Sequence, residues 1–163
     1  MTIQIDSREK ARAIKNILQF FDESEITYFQ SKLYIGDYMS MDNPRLIIDR
    51  KQNLNELCSN VTSDHDRFRK ELLKAKNNGI QLVILVEHGK GIECLEDVIF
   101  WKNPRSEKRV KVDGKFQTVK TKATTGQTLY NILCTLERKY GVKYAFCDKE
   151  NTGHEIVRIL SGE

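Results

Sequence analysis

The run Ile80-Gln81-Leu82-Val83-Ile84-Leu85-Val86 restricts this chain more than any other stretch of it. Strand side chains alternate between two faces. The unbroken apolar core of the run, Leu82–Val86, therefore needs apolar cover on both sides, the mark of a central strand buried in a parallel or mixed sheet. Immediately before it, Phe68, Leu72 and Ala75 form one stripe of a helix over 64–78, which Asn77-Asn78-Gly79 stops. A strand covered on both faces and fed by a helix calls for helical layers above and below a sheet. The 163 residues suffice for one such domain and are too few for two comfortable ones. The expectation is a single domain over residues 1–163.

The other segments fit that plan. Thr2–Asp6 reads as a strand stopping at Ser7, a candidate N-cap for a helix over Glu9–Phe21, where Ala13, Ile14, Ile17, Leu18 and Phe21 recur at helical spacing. Ile26–Gln30 and Leu33–Met41 read as strands, the second interrupted at Gly36. Asp42-Asn43-Pro44 reads as a turn, and Arg45–Lys51 as a strand with an apolar centre. A helical turn or two follows over Leu54–Cys58, and a short helix over Glu93–Trp101. Gln127–Tyr140 is helical, Val142–Cys147 a strand, and Asn151 or Thr152 caps a last helix reaching Leu160. The fold class is α/β: a three-layer α/β/α arrangement whose central mixed sheet is flanked by helices.

Charge is unevenly spread. The net charge is +4. Residues 102–122 hold Lys102, Arg105, Lys108, Arg109, Lys111, Lys115, Lys120 and Lys122 against Glu107 and Asp113. That surplus of six leaves −2 for the remainder of the chain. A basic insertion at about 102–125, a loop or a β-ribbon turning at Asp113-Gly114, is either a solvated segment or a phosphate contact. No apolar run approaches the ~20 residues of a membrane span, and no basic-then-apolar leader opens the chain, so the expected compartment is the cytoplasm. Cys58, Cys94, Cys134 and Cys147 form no CxxC pair. They read as small hydrophobes in a reducing compartment, and with His88 and His154 they fit no compact zinc spacing.

Two short segments carry chemistry. Gly36-Asp37-Tyr38 lies on one strand and Asp49-Arg50-Lys51 ends the next. Alternation points Asp49 and Lys51 one way and Arg50 the other. A turn at 42–44 makes the strands antiparallel neighbours, with cross-strand partners ~5 Å apart, so Asp37 and Asp49 can converge. Converging carboxylates repel unless a cation or proton separates them. A hard divalent ion takes oxygen ligands, polarises a phosphoryl oxygen and acidifies a bound water. Lys51 beside it can position or deprotonate that water, or stabilise charge developing on phosphorus. The plainer reading of Asp49 and Lys51 is a surface ion pair at a strand end.

Ile5-Asp6-Ser7-Arg8-Glu9, Leu33-Tyr34-Ile35-Gly36-Asp37-Tyr38, Ile47-Ile48-Asp49-Arg50-Lys51, Arg67-Phe68 with Glu71, and Ile84-Leu85-Val86-Glu87 together resemble the nuclease domain of the XPF family. Its (V/I)DxRE, GDY and (V/I)ERK motifs occur in this order and at similar spacing. The resemblance covers residues 3–87 well and 126–160 more loosely. It implies a restriction-endonuclease-like, PD-(D/E)XK fold and Mg²⁺- or Mn²⁺-dependent cutting of branched or flap DNA, with no small-molecule cofactor. It makes Asp37 and Asp49 metal ligands and Lys51 the catalytic lysine. Asp6, Arg8, Glu9 and Arg50 complete the site, while Glu71 and Arg67 support it or touch the DNA backbone. For Asp6–Glu9 the alternative is a helix N-terminus that favours acids.

Three departures from the family pattern matter. Asp49 stands where the family usually has Glu, one methylene longer. Asn55 stands where Asp is frequent. No helix–hairpin–helix domain follows before Glu163. DNA affinity is then expected from the basic segment or from homodimerisation, and the stand-alone form resembles those of bacteriophages and prophages. The competing functions are a non-catalytic DNA-binding module on the same fold and a protein-interaction subunit whose basic segment docks an acidic partner. His65, His88, His154, Trp101, Tyr130 and Tyr140 read as structural, and Thr124-Thr125-Gly126 as an ordinary N-cap.

Overall fold

A computed structural model describes residues 1–89 and 91–162. Among the described residues the strands are β1 (Thr2–Asp6), β2 (Thr27–Ser31), β3 (Tyr38–Ser40), β4 (Asn43–Lys51), β5 (Gln81–Glu87), β6 (Glu107–Val112), β7 (Lys115–Lys120) and β8 (Lys143–Cys147). The α-helices among them are α1 (Lys15–Glu23), α2 (Leu54–Val61), α3 (His65–Asn77), α4 (Gly126–Tyr140) and α5 (Thr152–Ser161). Short 3₁₀ turns occupy Glu96–Phe100, Pro104–Ser106 and Lys149–Asn151. No described helix is long and apolar enough to cross a membrane.

Six strands form one mixed sheet in the order β2-β1-β3-β4-β5-β8. β1 runs parallel to β2 and antiparallel to β3, β3 antiparallel to β4, and β4, β5 and β8 are mutually parallel. As its apolar run requires, β5 is buried on both faces. Leu82, Ile84 and Val86 pack with α2, α3 and α4 through Leu57, Phe68, Leu72, Leu129 and Leu133. Val83 and Leu85 pack with α1 and α5 through Ile17, Phe21, Ile156 and Leu160. Each fully buried aliphatic side chain of this kind contributes about 1.5–3 kcal/mol. The architecture is the α/β/α sandwich with a mixed sheet that the patterning predicts.

Two expected elements are shorter than their sequence suggests. The first helix begins at Lys15, and Ser7 is not its N-cap. The intervening residues turn around Asp6, whose side chain accepts the backbone N–H of Arg8 at 2.7 Å. This removes the helix-dipole alternative for Asp6–Glu9. The expected strand over Leu33–Met41 is regular only at Tyr38–Ser40, because Leu33 N–H donates to Asp6 (2.7 Å) and Gly36 adopts φ +62°. A Cβ at Gly36 would lie 2.6 Å from Ile47 Cγ2 and 2.8 Å from the Ile48 carbonyl oxygen, so only glycine fits.

Candidate active site

β4 emerges from the middle of the sheet with Asp49, Arg50 and Lys51 all buried. Strand alternation divides them. Lys51 Nζ donates to Asp49 Oδ1 at 2.8 Å and stands 5.7 Å from the Phe68 ring of α3. Both therefore face the α2–α3 layer. Asp37 reaches the same place from the start of β3. The antiparallel register pairs Tyr38 with Ile48, Asp37 N–H donates to Ile48 O at 2.7 Å, and Arg50 N–H donates to Asp37 Oδ2 at 2.8 Å.

The electrostatics of this trio are unbalanced. Burial, then the charges of Asp49 and Glu9, push the Asp37 carboxyl well above the usual carboxylate range. Burial alone would lower the Lys51 ammonium, but Asp49, Asp37 and Glu56 together outweigh it and the net shift is upward. Asp49 Oδ2 is buried and, among the described residues, has no hydrogen-bond partner. An uncompensated buried acceptor costs about 1–3 kcal/mol. A divalent cation between the two aspartates would satisfy that oxygen and offset their repulsion, so these residues fit a hard metal ion. No third His, Cys, Asp or Glu among the described residues converges on them. Further ligands would have to be water, backbone or phosphate oxygens, as is usual for Mg²⁺.

Arg50 points into the opposite layer and joins a different set of charges. Its Nε and Nη2 donate to Glu9 Oε2 at 2.9 and 2.8 Å, and its Nη1 donates to Glu87 Oε1 at 3.0 Å. Tyr38 Oη donates to Glu9 Oε2 at 3.1 Å, and Thr152 Oγ1 donates to Glu87 Oε1 at 3.0 Å. Burial works against the guanidinium, but Glu9, Tyr38 and Glu87 more than restore it and hold it charged. Glu9 and Arg50 thus lie behind the aspartate pair rather than beside Lys51, and this network ties β3, β4, β5 and α5 together beneath the acidic site.

Asp6 and Arg8 form a bridge at the rim. Arg8 Nε donates to Asp6 Oδ1 (2.7 Å) and Nη2 to Asp6 Oδ2 (3.0 Å) and Leu33 O (3.1 Å). Burial would raise the Asp6 carboxyl, but hydrogen bonds from Arg8 and Leu33 prevail and lower it. Glu71 accepts Gly36 N–H at 3.1 Å and so holds the loop that presents Asp37. A small cleft lined by Lys51, Asn60, Asp64, Arg67, Phe68 and Glu71 puts Arg67 and Glu71 next to the lysine. The sequence reading missed the parts played by Tyr38, Glu87 and Thr152. The signal available was a carboxylate, Glu87, ending an otherwise apolar buried strand.

The basic residues Lys108, Arg109, Lys111, Lys115 and Lys120 lie on the exposed β6–β7 hairpin, which turns at Asp113-Gly114. Lys102, Arg105 and Lys122 flank its base and are also exposed. The base is fastened by Asn103, whose Nδ2 donates to Thr124 O at 2.9 Å. Thr125 caps α4 by accepting Thr128 N–H, the ordinary cap read from sequence. Trp101 is buried in the core below.

This arrangement can be set beside known proteins. The ERCC4 domain profile matches residues 5–159. The chain belongs to the ERCC4 domain family. That is the XPF nuclease family, and the match extends through the C-terminal helix–strand–helix. No curated protein sequence matches the chain. Among solved structures it resembles XPF from Aeropyrum pernix, both without DNA and in complex with it. In each case the TM-score is 0.64 at 17% identity, covering 98% of this chain and 63% of the archaeal chain. The likeness establishes a shared fold, and the chain spans about 63% of the length of those relatives.

Proposed function

We propose that this ERCC4 domain is a metal-dependent endonuclease that hydrolyses phosphodiester bonds in DNA, at branched, flap or junction structures. The observation that carries the reading is the buried, unpartnered Oδ2 of Asp49 beside Asp37, with the Lys51 ammonium on the other oxygen. Membership of a nuclease family and the likeness to an archaeal relative solved with DNA support it.

Asp37 and Asp49 would hold Mg²⁺, or Mn²⁺ in its place, and the bound ion would supply Lewis-acid polarisation and an acidified water. The chain's own residues do the remainder. Lys51, hydrogen-bonded to Asp49, stands where it can position the attacking water or stabilise negative charge on phosphorus. The Asp6–Arg8 pair and Glu71 fix the loop that carries Asp37. Arg50, clamped by Glu9 and Glu87, keeps β4 in register behind the aspartates. Arg67 and the exposed cations at 102, 105, 108, 109, 111, 115, 120 and 122 would meet the phosphate backbone.

The test is cleavage of end-labelled flap, junction and plain duplex DNA in Mg²⁺. The wild type is expected to nick branched DNA. Asp37→Asn and Lys51→Ala are expected to bind it but cut slower by on the order of 10²–10³-fold, the scale for removing one electrostatic stabiliser. Binding without cutting by all three proteins would favour a non-catalytic DNA-binding module. Equal rates for wild type and variants would remove these residues from the chemistry.

A further inference from the structure

The segment between β2 and β3 holds an aromatic ring where folding gains little from one. Leu33 and Ile35 turn inward and are buried, but the Tyr34 ring between them is 77% exposed. It stands three residues before Asp37. Its backbone is pinned rather than loose. Leu33 is held by Asp6 through its N–H and by Arg8 through its carbonyl. Lys74 Nζ donates to Tyr34 O at 3.3 Å, and Gly36 N–H is held by Glu71. Two ammonium groups attend the ring, Lys74 at 5.1 Å and Lys32 at 5.6 Å from its centroid.

An exposed cation–ring contact is weaker than a nucleobase stacked on an aromatic ring. A base arriving at Tyr34 would therefore displace the ammonium groups from the ring, and they would find better partners in the phosphates on either side of that base. A flat ring flanked by two cations is the combination that single-stranded nucleic acid selects. A base inside a duplex is already stacked on both faces and has none to offer. We infer that Tyr34, with Lys32 and Lys74, is a binding platform for an unpaired nucleobase of the DNA strand next to the scissile phosphate. The inference rests on the nuclease reading and deepens it, because it names which part of a branched substrate this rim takes.

The test uses the full chain in EDTA, so that nothing is cut. Two fluorescent probes are titrated and read by anisotropy: a blunt duplex, and the same duplex with a single-stranded arm. Tyr34 is exposed, so its replacement does not threaten folding. Tyr34→Ala is expected to weaken binding of the armed probe about tenfold, the scale of one lost base stack, and to change blunt-duplex binding less than twofold. Tyr34→Trp is expected to keep the armed probe at wild-type affinity or better. Equal loss on both probes, no loss on either, or a Trp variant as weak as the Ala variant would overturn the platform while leaving the nuclease reading standing. Failure of the wild type to prefer the armed probe over the blunt one would overturn the platform, and the nuclease reading stands or falls separately on the Mg²⁺ cleavage assay.

Discussion

Asp37 is held in a setting that disfavours its own charge. Burial first, and the neighbouring Asp49 and Glu9 next, raise its carboxyl pKa in the folded protein. Folding therefore takes up a proton there when no metal is present. Stability should be greatest below the ordinary carboxylate value and fall as pH rises from there through the raised folded value. Asp37→Asn removes that charge and keeps an acceptor for Arg50 N–H. In metal-free buffer at pH 8 the variant is expected to melt above wild type by roughly 2–4 °C, about what 1 kcal/mol gives a chain of this size. The gap should close toward pH 4. A variant that melts lower at pH 8, or a gap that does not depend on pH, would contradict this. Arg50 presents the opposite case. Two carboxylates depend on it, one of them almost fully buried. Arg50→Ala is expected to cost about 3–5 kcal/mol by urea denaturation, the scale for leaving buried charge unpaired. An unchanged midpoint would show that Glu9 and Glu87 find other partners.

At the level of elements, the β6–β7 hairpin has two unlike sides. Its register places Glu107, Arg109, Lys111, Phe116 and Lys120 on one face, with the Arg109 guanidinium 5.0 Å from the Phe116 ring. Val110, Val112 and Val119 share the other face with Lys108 and Lys115. If the hairpin meets phosphates through the face that carries Arg109, Arg109→Ala with Lys111→Ala should flatten the log–log salt dependence of DNA binding by about 2, near 0.9 per lost contact. Lys108→Ala with Lys115→Ala should change it less. Equal effects would mean that charge, not facing, governs the contact. The hairpin was legible in the sequence only as one of two options, because the alternation of Val110 and Val112 with cations in β6 has no match in β7, whose Phe116 and Val119 fall on opposite faces. The buried strands and helices α3 and α4 were legible because each has one dominant stripe or run. Both shortened elements involve Asp6, the second together with the left-handed Gly36. Asp6 draws in the backbone of Arg8 and Leu33, costing the first helix its opening turns and the third strand its opening residues. Local patterning carries no sign of a hydrogen bond spanning 27 positions.

Across the whole molecule, the sheet acts as a partition. On one side Asp37, Asp49 and Lys51 face the α2–α3 layer; on the other, Arg50 gathers Glu9, Glu87, Tyr38 and Thr152. Period-two alternation predicted that Asp49 and Lys51 would part from Arg50, and motif order predicted the family. Neither could place Glu9 with Arg50 or bring α5 under the site, since those contacts depend on sheet order. The parallel trio β4, β5 and β8 ends at Lys51, Glu87 and Cys147, so one sheet edge supplies charge to both layers. Everything proposed for the acidic side requires that the two aspartates share one divalent cation. Titrating the metal-free protein with Mn²⁺, and following the loss of the free-ion electron paramagnetic resonance signal, measures this directly. The account predicts one bound ion per wild-type chain and a loss of binding in both Asp37→Asn and Asp49→Asn. Undiminished binding in both variants, or none in the wild type, would contradict it.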